Sequence, residues 1–290
     1  MTDINIWALA GTGLFAGLLG AMLGIGGGVF IVPILTLAIG LPMQVAIGSS
    51  LISIVINACT ATSVYIREHM TNIKLGLLLA TTLVPGAIVG GILAANLASP
   101  ALSVIFGLVM IYVAYTLIPK KQRKKNAPAS GDRPKTIKEK KHASHAWLDG
   151  CYHDPAVNED VTYQVHRPLT GMVAGFFGGV ISSLLGVGGG LINVPVMSGV
   201  MKMPIKATIA TSSLLLCITT MTGSLIYAHN GFIHPYVVAP LVVSVYVGAR
   251  LGATFAHRTR GALLIRIFIV FLILTSILMI AKAFFMTGNK

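Results

Sequence analysis

Apolar residues run through this chain in long blocks, separated by brief polar punctuation and by one polar stretch near the middle. The first half carries five blocks, at about 6–23, 28–40, 44–66, 74–97 and 100–118. The second half carries five more, at about 168–185, 190–201, 206–228, 235–256 and 262–285. Most approach the ~20 residues that a helix needs to cross a hydrocarbon core of about 30 Å. The second block of each half is too short, since 28–40 rises only roughly 20 Å at 1.5 Å per residue. It is therefore expected as one arm of a broken or re-entrant helix. The pattern leaves open whether the first two blocks cross separately or form a hairpin.

The two sets of blocks are copies of one unit. A shift of 162 residues lays Gly24-Ile-Gly-Gly-Gly28 on Gly186-Val-Gly-Gly-Gly190, Pro33 on Pro195, Pro42 on Pro204 and Ser50 on Ser212. Without a gap it also lays Gly86-Ala87 on Gly248-Ala249, Gly90 on Gly252 and Ala94 on Ala256. Upstream the register slips by four residues, one helical turn, and pairs Gly13–Gly17 with Gly171–Gly175. Chance apolar similarity does not keep glycines and prolines in phase. The expected organisation is membrane repeat 1 at 6–118, a basic loop at 119–167, and membrane repeat 2 at 168–285.

Charge fixes the orientation. Lys and Arg crowd into 119–167, and further basic residues fall at Arg67/Lys74, Lys202/Lys206 and Arg258/Arg260. Alternating crossings put all of these on one side, which the positive-inside rule makes cytoplasmic. The opposite loops, near 41–43, 98–99 and 229–234, contain no Lys or Arg. An odd number of segments per half gives the copies opposite orientation, an inverted repeat that recurs in transporters. The fold class expected is thus all-α and membrane-integral, two inverted repeats each with a Gly-rich broken helix.

Composition agrees and removes other classes. Charged residues make up 10% of the 290 and hydrophobic residues 55%, where soluble domains carry about 25% charged residues. The net charge of +13 comes largely from the run Lys120–Lys141. No aromatic-interleaved basic surface accompanies it, so it reads as a topology signal able to touch anionic lipid and not as a nucleic-acid footprint. Three cysteines, with Cys59 and Cys217 in apolar blocks and Cys151 in the loop, give no disulfide framework. The N-terminus has Asp3 and no basic residue before the first block. It lacks the basic n-region of a cleaved signal peptide, so that block is expected to be retained.

The candidate binding chemistry lies at the glycine breaks: Gly24, Gly26, Gly27 and Gly28 in one half, Gly186, Gly188, Gly189 and Gly190 in the other, with Pro33 and Pro195 as structural partners. Successive glycines do not stabilise a helix; they permit a chain break and a close backbone approach. The helix that restarts has amides without intrahelical partners and a partial positive charge, which suits an anion. Packing is the competing reading, because small residues let membrane helices approach. Neither cluster is followed by Gly-Lys-Ser/Thr, so neither is a P-loop.

Ser49 and Ser50, matched by Thr211 and Ser212, can donate to a substrate oxygen or bond their own helix carbonyls. Asn57 and Asn193 are amides in apolar runs that need partners, from a substrate or another helix. Arg250, in Gly248-Ala-Arg-Leu-Gly252, snorkels to the interface or meets substrate, the first reading being favoured. No carboxylate lies deep in an apolar block, since Glu68 is at a loop, so no buried proton relay is visible. His142, His145, Cys151, His153 and Asp154 fit no zinc template well in a stretch read as a polar, mobile loop, and no metal or cofactor is expected. No nucleophile–base pair or paired carboxylates point to an enzyme.

The duplicated Gly-Ile/Val-Gly-Gly-Gly-x4-Pro, the Gly48-Ser-Ser50 and Ala210-Thr-Ser212 pairs, and the Gly-Ala-x2-Gly-x3-Ala-His-Arg ending at Arg258 resemble the TauE/SafE family. The resemblance covers both halves and leaves out the loop 119–167, which is longer than the family's usual linkers. It implies a bacterial-type plasma-membrane permease that moves sulfite, sulfoacetate or other organosulfonates. Alternating access by a secondary transporter of small anions is the leading expectation, and a homo-oligomer is compatible with it. Three alternatives remain: a permease for another small solute, a passive channel, and a membrane sensor working through the His/Cys loop.

Overall fold

The computed structural model describes residues 6–117, 148–154, 159–255 and 261–288. The first half folds as α1 (Ile6–Leu23), α2 (Gly28–Leu37), α3 (Met43–Arg67), α4 (Ile73–Asn96) and α5 (Ser99–Leu117). The second follows as α6 (Pro168–Leu185), α7 (Gly190–Pro195) continued by a π-turn (Val196–Val200), α8 (Ile205–His229), α9 (Pro235–Phe255) and α10 (Gly261–Gly288). Each apolar block becomes a helix, with ends within about three residues of those expected. Local chemistry sets several of these ends. Pro42 and Pro204 precede α3 and α8, Asn72 caps α4 by accepting from the Leu75 N–H at 3.1 Å, and Gly186 closes α6 with φ +65°.

Among the described residues α1, α3, α4, α6, α8 and α9 are long and apolar enough to cross a membrane. α3 and α8 form the centre and run antiparallel: Gly48 lies beside Tyr227, and Leu51 beside Gly223. On one side α1 packs along α9, on the other α6 along α4. Both flanking pairs run parallel and both are seamed with glycine. A Cβ at Gly17 would lie 2.5 Å from the Val245 carbonyl, and one at Gly252 2.3 Å from that of Leu18. In the other pair a Cβ at Gly90 would lie 2.1 Å from the Val180 carbonyl, and one at Gly179 2.2 Å from that of Leu83. Lipid offers no hydrophobic drive for helix association, so this backbone-to-backbone approach supplies the cohesion.

The short second blocks each fold back along the helix before them. After α1 the chain reverses, so that the rings of Phe15 and Phe30 meet edge to face at 5.4 Å. After α6 it reverses again, bringing Asn193 beside Gly178.

One stretch departs from the expectation of an all-helical chain with a polar, mobile loop at its centre. A two-stranded antiparallel hairpin, β1 (Gly150–Asp154) with β2 (Glu159–Tyr163), pairs from Gly150↔Tyr163 to Asp154↔Glu159. Its flanks are apolar enough to dock: Leu148, Tyr152 and Val165 are buried with Met70, Met197, Met201 and Met203. The apolar/polar alternation over Val161–Val165 was a strand signal that the surrounding polarity masked. The basic run Lys120–Lys141, His142, His145, His257, Arg258 and Arg260 lie outside the described residues.

Candidate functional site

Both glycine breaks are built on carbonyls at the ends of the first helices. The N–H groups of Ile25 and Gly26 donate to the Gly20 carbonyl at 3.1 and 3.3 Å. Gly24, Gly26 and Gly27 then take φ of +66°, +86° and +84°. α2 restarts with the N–H groups of Phe30 and Ile31 donating to the Gly27 carbonyl. In the second half the N–H groups of Ile192 and Asn193 donate to the Gly189 carbonyl. Among the described residues nothing accepts from the N–H groups of Gly28 and Val29, nor from those of Gly190 and Leu191. Two helix starts thus carry unfilled donors and partial positive charge.

The two breaks meet each other, and the contacts are reciprocal. The Ser50 hydroxyl donates to the Gly186 carbonyl at 2.6 Å, and the Ser212 hydroxyl donates to the Gly24 carbonyl at 3.2 Å. A Cβ at Gly28 would stand 2.2 Å from the Gly186 oxygen, and one at Gly190 2.4 Å from the Gly24 oxygen. Each half's hydroxyl and helix start therefore hold the other half's loop. Between them Ile54 and Leu216 touch both Gly26 and Gly188, an apolar plug at the crossing of α3 and α8. Ser49, Ser50, Thr211 and Ser212 are all 0% exposed, so the cluster is closed off from both faces.

The remaining candidate residues divide. Thr211 accepts from the Asn72 N–H at 3.0 Å, while the Ser49 hydroxyl is buried without a partner. Asn57 reaches from α3 to the Gly17 and Gly26 carbonyls at 3.3 and 3.1 Å and so braces the first break. The Asn193 amide nitrogen, equally buried, has no partner. Pro33 sits inside α2, while Pro195 ends α7 and leads into the π-turn, where the missing proline N–H has already interrupted the α pattern. Arg250 is not part of this cluster. It is exposed on α9 and its guanidinium donates to the Tyr246 hydroxyl at 3.4 Å. The side chains touching the breaks are apolar or neutral, so positive potential there comes from the helix starts alone.

Three features of the site escaped the motif reading. Ile54 and Leu216 stand 162 residues apart, as do Tyr65 and Tyr227, so extending the repeat register beyond the glycines would have exposed both pairs. Tyr65 donates to the Ala21 carbonyl at 3.1 Å, just before the first break, whereas the buried Tyr227 hydroxyl has no partner. Lys282, a lysine inside the apolar run of α10, donates from Nζ to the Thr36 carbonyl near the end of α2. Among the described residues no group of three or more His, Cys, Asp or Glu is placed to hold a metal.

Comparison with known proteins fits this architecture. Residues 9–279 match the family model described as Sulfite exporter TauE/SafE. The chain is 29% identical over 280 residues to the probable membrane transporter protein YunE of Bacillus subtilis (strain 168), covering 94% of this chain and 96% of that one. It is 24% identical over 221 residues to the probable membrane transporter protein MJ0441 of Methanocaldococcus jannaschii, covering 74% and 69%. No solved structure matches it. With a family match across nearly the whole length and helices suited to several crossings, the chain is a multi-pass membrane protein that belongs to the TauE/SafE family of membrane transporters.

Proposed function

We propose that this protein is a secondary transporter that carries small anions, sulfite or organosulfonates, across the plasma membrane by alternating access. Its working parts are two inverted repeats, 6–118 and 168–285, joined by a cytoplasmic segment. The reciprocal embrace of the two glycine breaks carries this reading. A twofold relation between halves of opposite orientation brings Ser50 onto Gly186 and Ser212 onto Gly24. The parallel pairing of α1 with α9 and of α6 with α4 follows from the same relation. Four unfilled N–H donors at the two helix starts, with neutral hydroxyls and amides nearby, form a setting for an oxyanion. Sulfite as the cargo rests on the family description.

The closed cluster corresponds to an occluded state. Opening to either face requires the Ser50–Gly186 or Ser212–Gly24 contact to part, so that one break at a time meets water.

Counterflow of labelled sulfite into liposomes holding the purified protein tests the assignment, with sulfate, sulfoacetate and a neutral sugar as competitors. Saturable exchange that sulfoacetate blocks and sugar does not is the expected result. Folded protein that exchanges none of these anions would sink it, and a flux that neither saturates nor shows counterflow would make the protein a channel.

A further inference from the structure

The central hairpin and its flanks are hydrogen-bonded to both halves of the helical body. Asn72, at the start of α4, donates from Nδ2 to the Leu148 carbonyl at 2.8 Å and to the Tyr163 hydroxyl at 3.3 Å. The same residue caps α4 through Oδ1, and its backbone N–H donates to Thr211, the neighbour of Ser212. On the far side the His166 N–H donates to the carbonyl of Met201, directly after the π-turn that ends the second short arm. Leu148, Tyr152 and Val165 are buried in one apolar cluster with Tyr65, Met70, Leu75, Leu79, Ala207 and Ala210. Burial at this contact pushes the Tyr163 phenol above its ordinary pKa, which keeps it neutral. Continuous contacts therefore run from the hairpin through Asn72 and Thr211 to Ser212 and the first break.

The backbone at the same contact is strained. Among the described residues the non-glycine positions with left-handed φ are His69, Arg167 and Lys202, at +54°, +48° and +55°. They lie at the turn before Asn72, at the exit from the hairpin and next to Met201. Each such position costs of order 1 kcal/mol or more unless its surroundings hold it there, and such positions cluster where a structure switches.

We propose that the hairpin, residues 148–154 and 159–166, is the gate of one face of the helical body, and that Asn72 is its latch. Docked, it pins α4, the second short arm and α8 together and keeps the Ser212–Gly24 contact closed. Undocked, it frees the second arm to swing and opens the break to the side of the membrane that the basic residues mark as cytoplasmic. Asn72 is a positioning residue and acts through the hairpin. The inference rests on the alternating-access reading, but the hairpin's cover can be measured without transport.

The test uses the full chain in liposomes with Cys59, Cys151 and Cys217 replaced by serine. Ala207→Cys, or Ala210→Cys as a second reporter, places a thiol in the buried cluster that the hairpin joins, and Ala46→Cys places a buried control in the first half. An impermeant maleimide is applied from the hairpin side to protein with Asn72, with Asn72→Asp, and with Leu148→Ser plus Val165→Ser. Aspartate keeps the α4 cap and loses the donor. Labelling at 207 should quicken about tenfold in Asn72→Asp, the effect of one lost buried hydrogen bond, and further in the double variant. Labelling at 46 should not change. Equal rates at 207 in all three proteins, or a parallel rise at 46, would overturn the gate. Sulfite counterflow in the same vesicles separates the two ideas: absent exchange with selective labelling at 207 removes the transport reading and leaves the cover standing.

Discussion

The two glycine breaks share one sequence pattern, yet the structure holds them differently. The first is braced throughout. Asn57 bonds the Gly17 carbonyl before it and the Gly26 carbonyl within it, Gly27 is fixed at φ +84°, α2 is buried along nearly its whole length, and Lys282 ties its far end to α10. The second is looser. Asn193 leaves its amide nitrogen unpaired, Gly189 has an ordinary φ of −66°, and the arm passes from α-helix to π-turn at Pro195. Its last residues, Gly199 and Val200, are exposed, and its end is tied to the hairpin. A twofold relation between sequences therefore does not make two equivalent machines. Within the alternating-access proposal, the first arm is the fixed wall and the second the moving part.

The largest effect should come where both breaks depend on each other. Gly28→Ala and Gly190→Ala each push a methyl group to within 2.2–2.4 Å of the opposite carbonyl. Neither backbone can yield without separating the halves. Overpacking worth about 3 kcal/mol corresponds to a loss of roughly a hundredfold in sulfite exchange. Gly199→Ala, with nothing within 4 Å of the new methyl group, is the silent control. Exchange at parental rates in both break variants would mean that the halves do not meet as described.

A sharper test of the difference uses the central glycines. Gly27→Ala forces an L-residue into left-handed φ and drives its Cβ to 2.4 Å from the Ala16 carbonyl. Gly189→Ala meets nothing closer than the Asn193 amide nitrogen at 3.0 Å, on a side chain able to shift. Overpacking costs of about 1–3 kcal/mol predict a drop in exchange of tenfold or more for the first. The second should stay within about threefold, as expected for a cost below 1 kcal/mol. Equal losses would erase the distinction between wall and moving arm, even though leucine at either position should abolish transport.

The sequence and the structure agree best where one physical rule dominates. Ten apolar blocks became helices because lipid-scale hydrophobicity leaves the backbone no other way to satisfy its hydrogen bonds. The glycine-proline register located both breaks, and Ser50 and Ser212 proved to contact them. The pattern could not say what those hydroxyls hold. A donor at that spacing serves a carbonyl or an oxyanion equally well, and the carbonyls of Gly186 and Gly24 come from the other half, 136 and 188 residues away. Asn57 and Asn193 looked alike as buried amides, but only the folded chain decides which finds a partner. The hairpin was hidden because its strands are short and polar on one face. Its burial depends on an apolar cluster, rich in methionine, drawn from α3, α4, α8 and the second arm.

The asparagines give the third test, read as stability. Asn57→Ala strips two backbone carbonyls of a buried donor, at a cost of about 2 kcal/mol, visible as earlier thermal unfolding in detergent. Asn193→Ala removes a donor that is already unpaired and should leave unfolding almost unchanged. If Asn193→Ala also weakens sulfite exchange, its free amide faces the cargo. An unfolding shift as large as that of Asn57→Ala would show that the second break is braced after all.

The smallest effect is expected at the end of the first arm. Lys282 places a cation at the carbonyl end of α2, where the helix dipole is negative, and it does so from within an apolar helix. A cation at a helix C-terminus contributes about 0.3–1 kcal/mol at an exposed surface and up to ~2 kcal/mol when partly buried. Lys282→Gln keeps a donor for the Thr36 carbonyl and removes the charge, so it should lower stability by no more than about 1 kcal/mol. Lys282→Met removes both and should cost about twice that. If α2 is the fixed wall, both variants keep exchange within about threefold of the parent, since a contact made equally in every state changes no barrier between states. A large change in exchange rate with unaltered unfolding would show that Lys282 lets go during the cycle. The first arm would then move as well, tied by a single lysine where the second is tied by a hairpin.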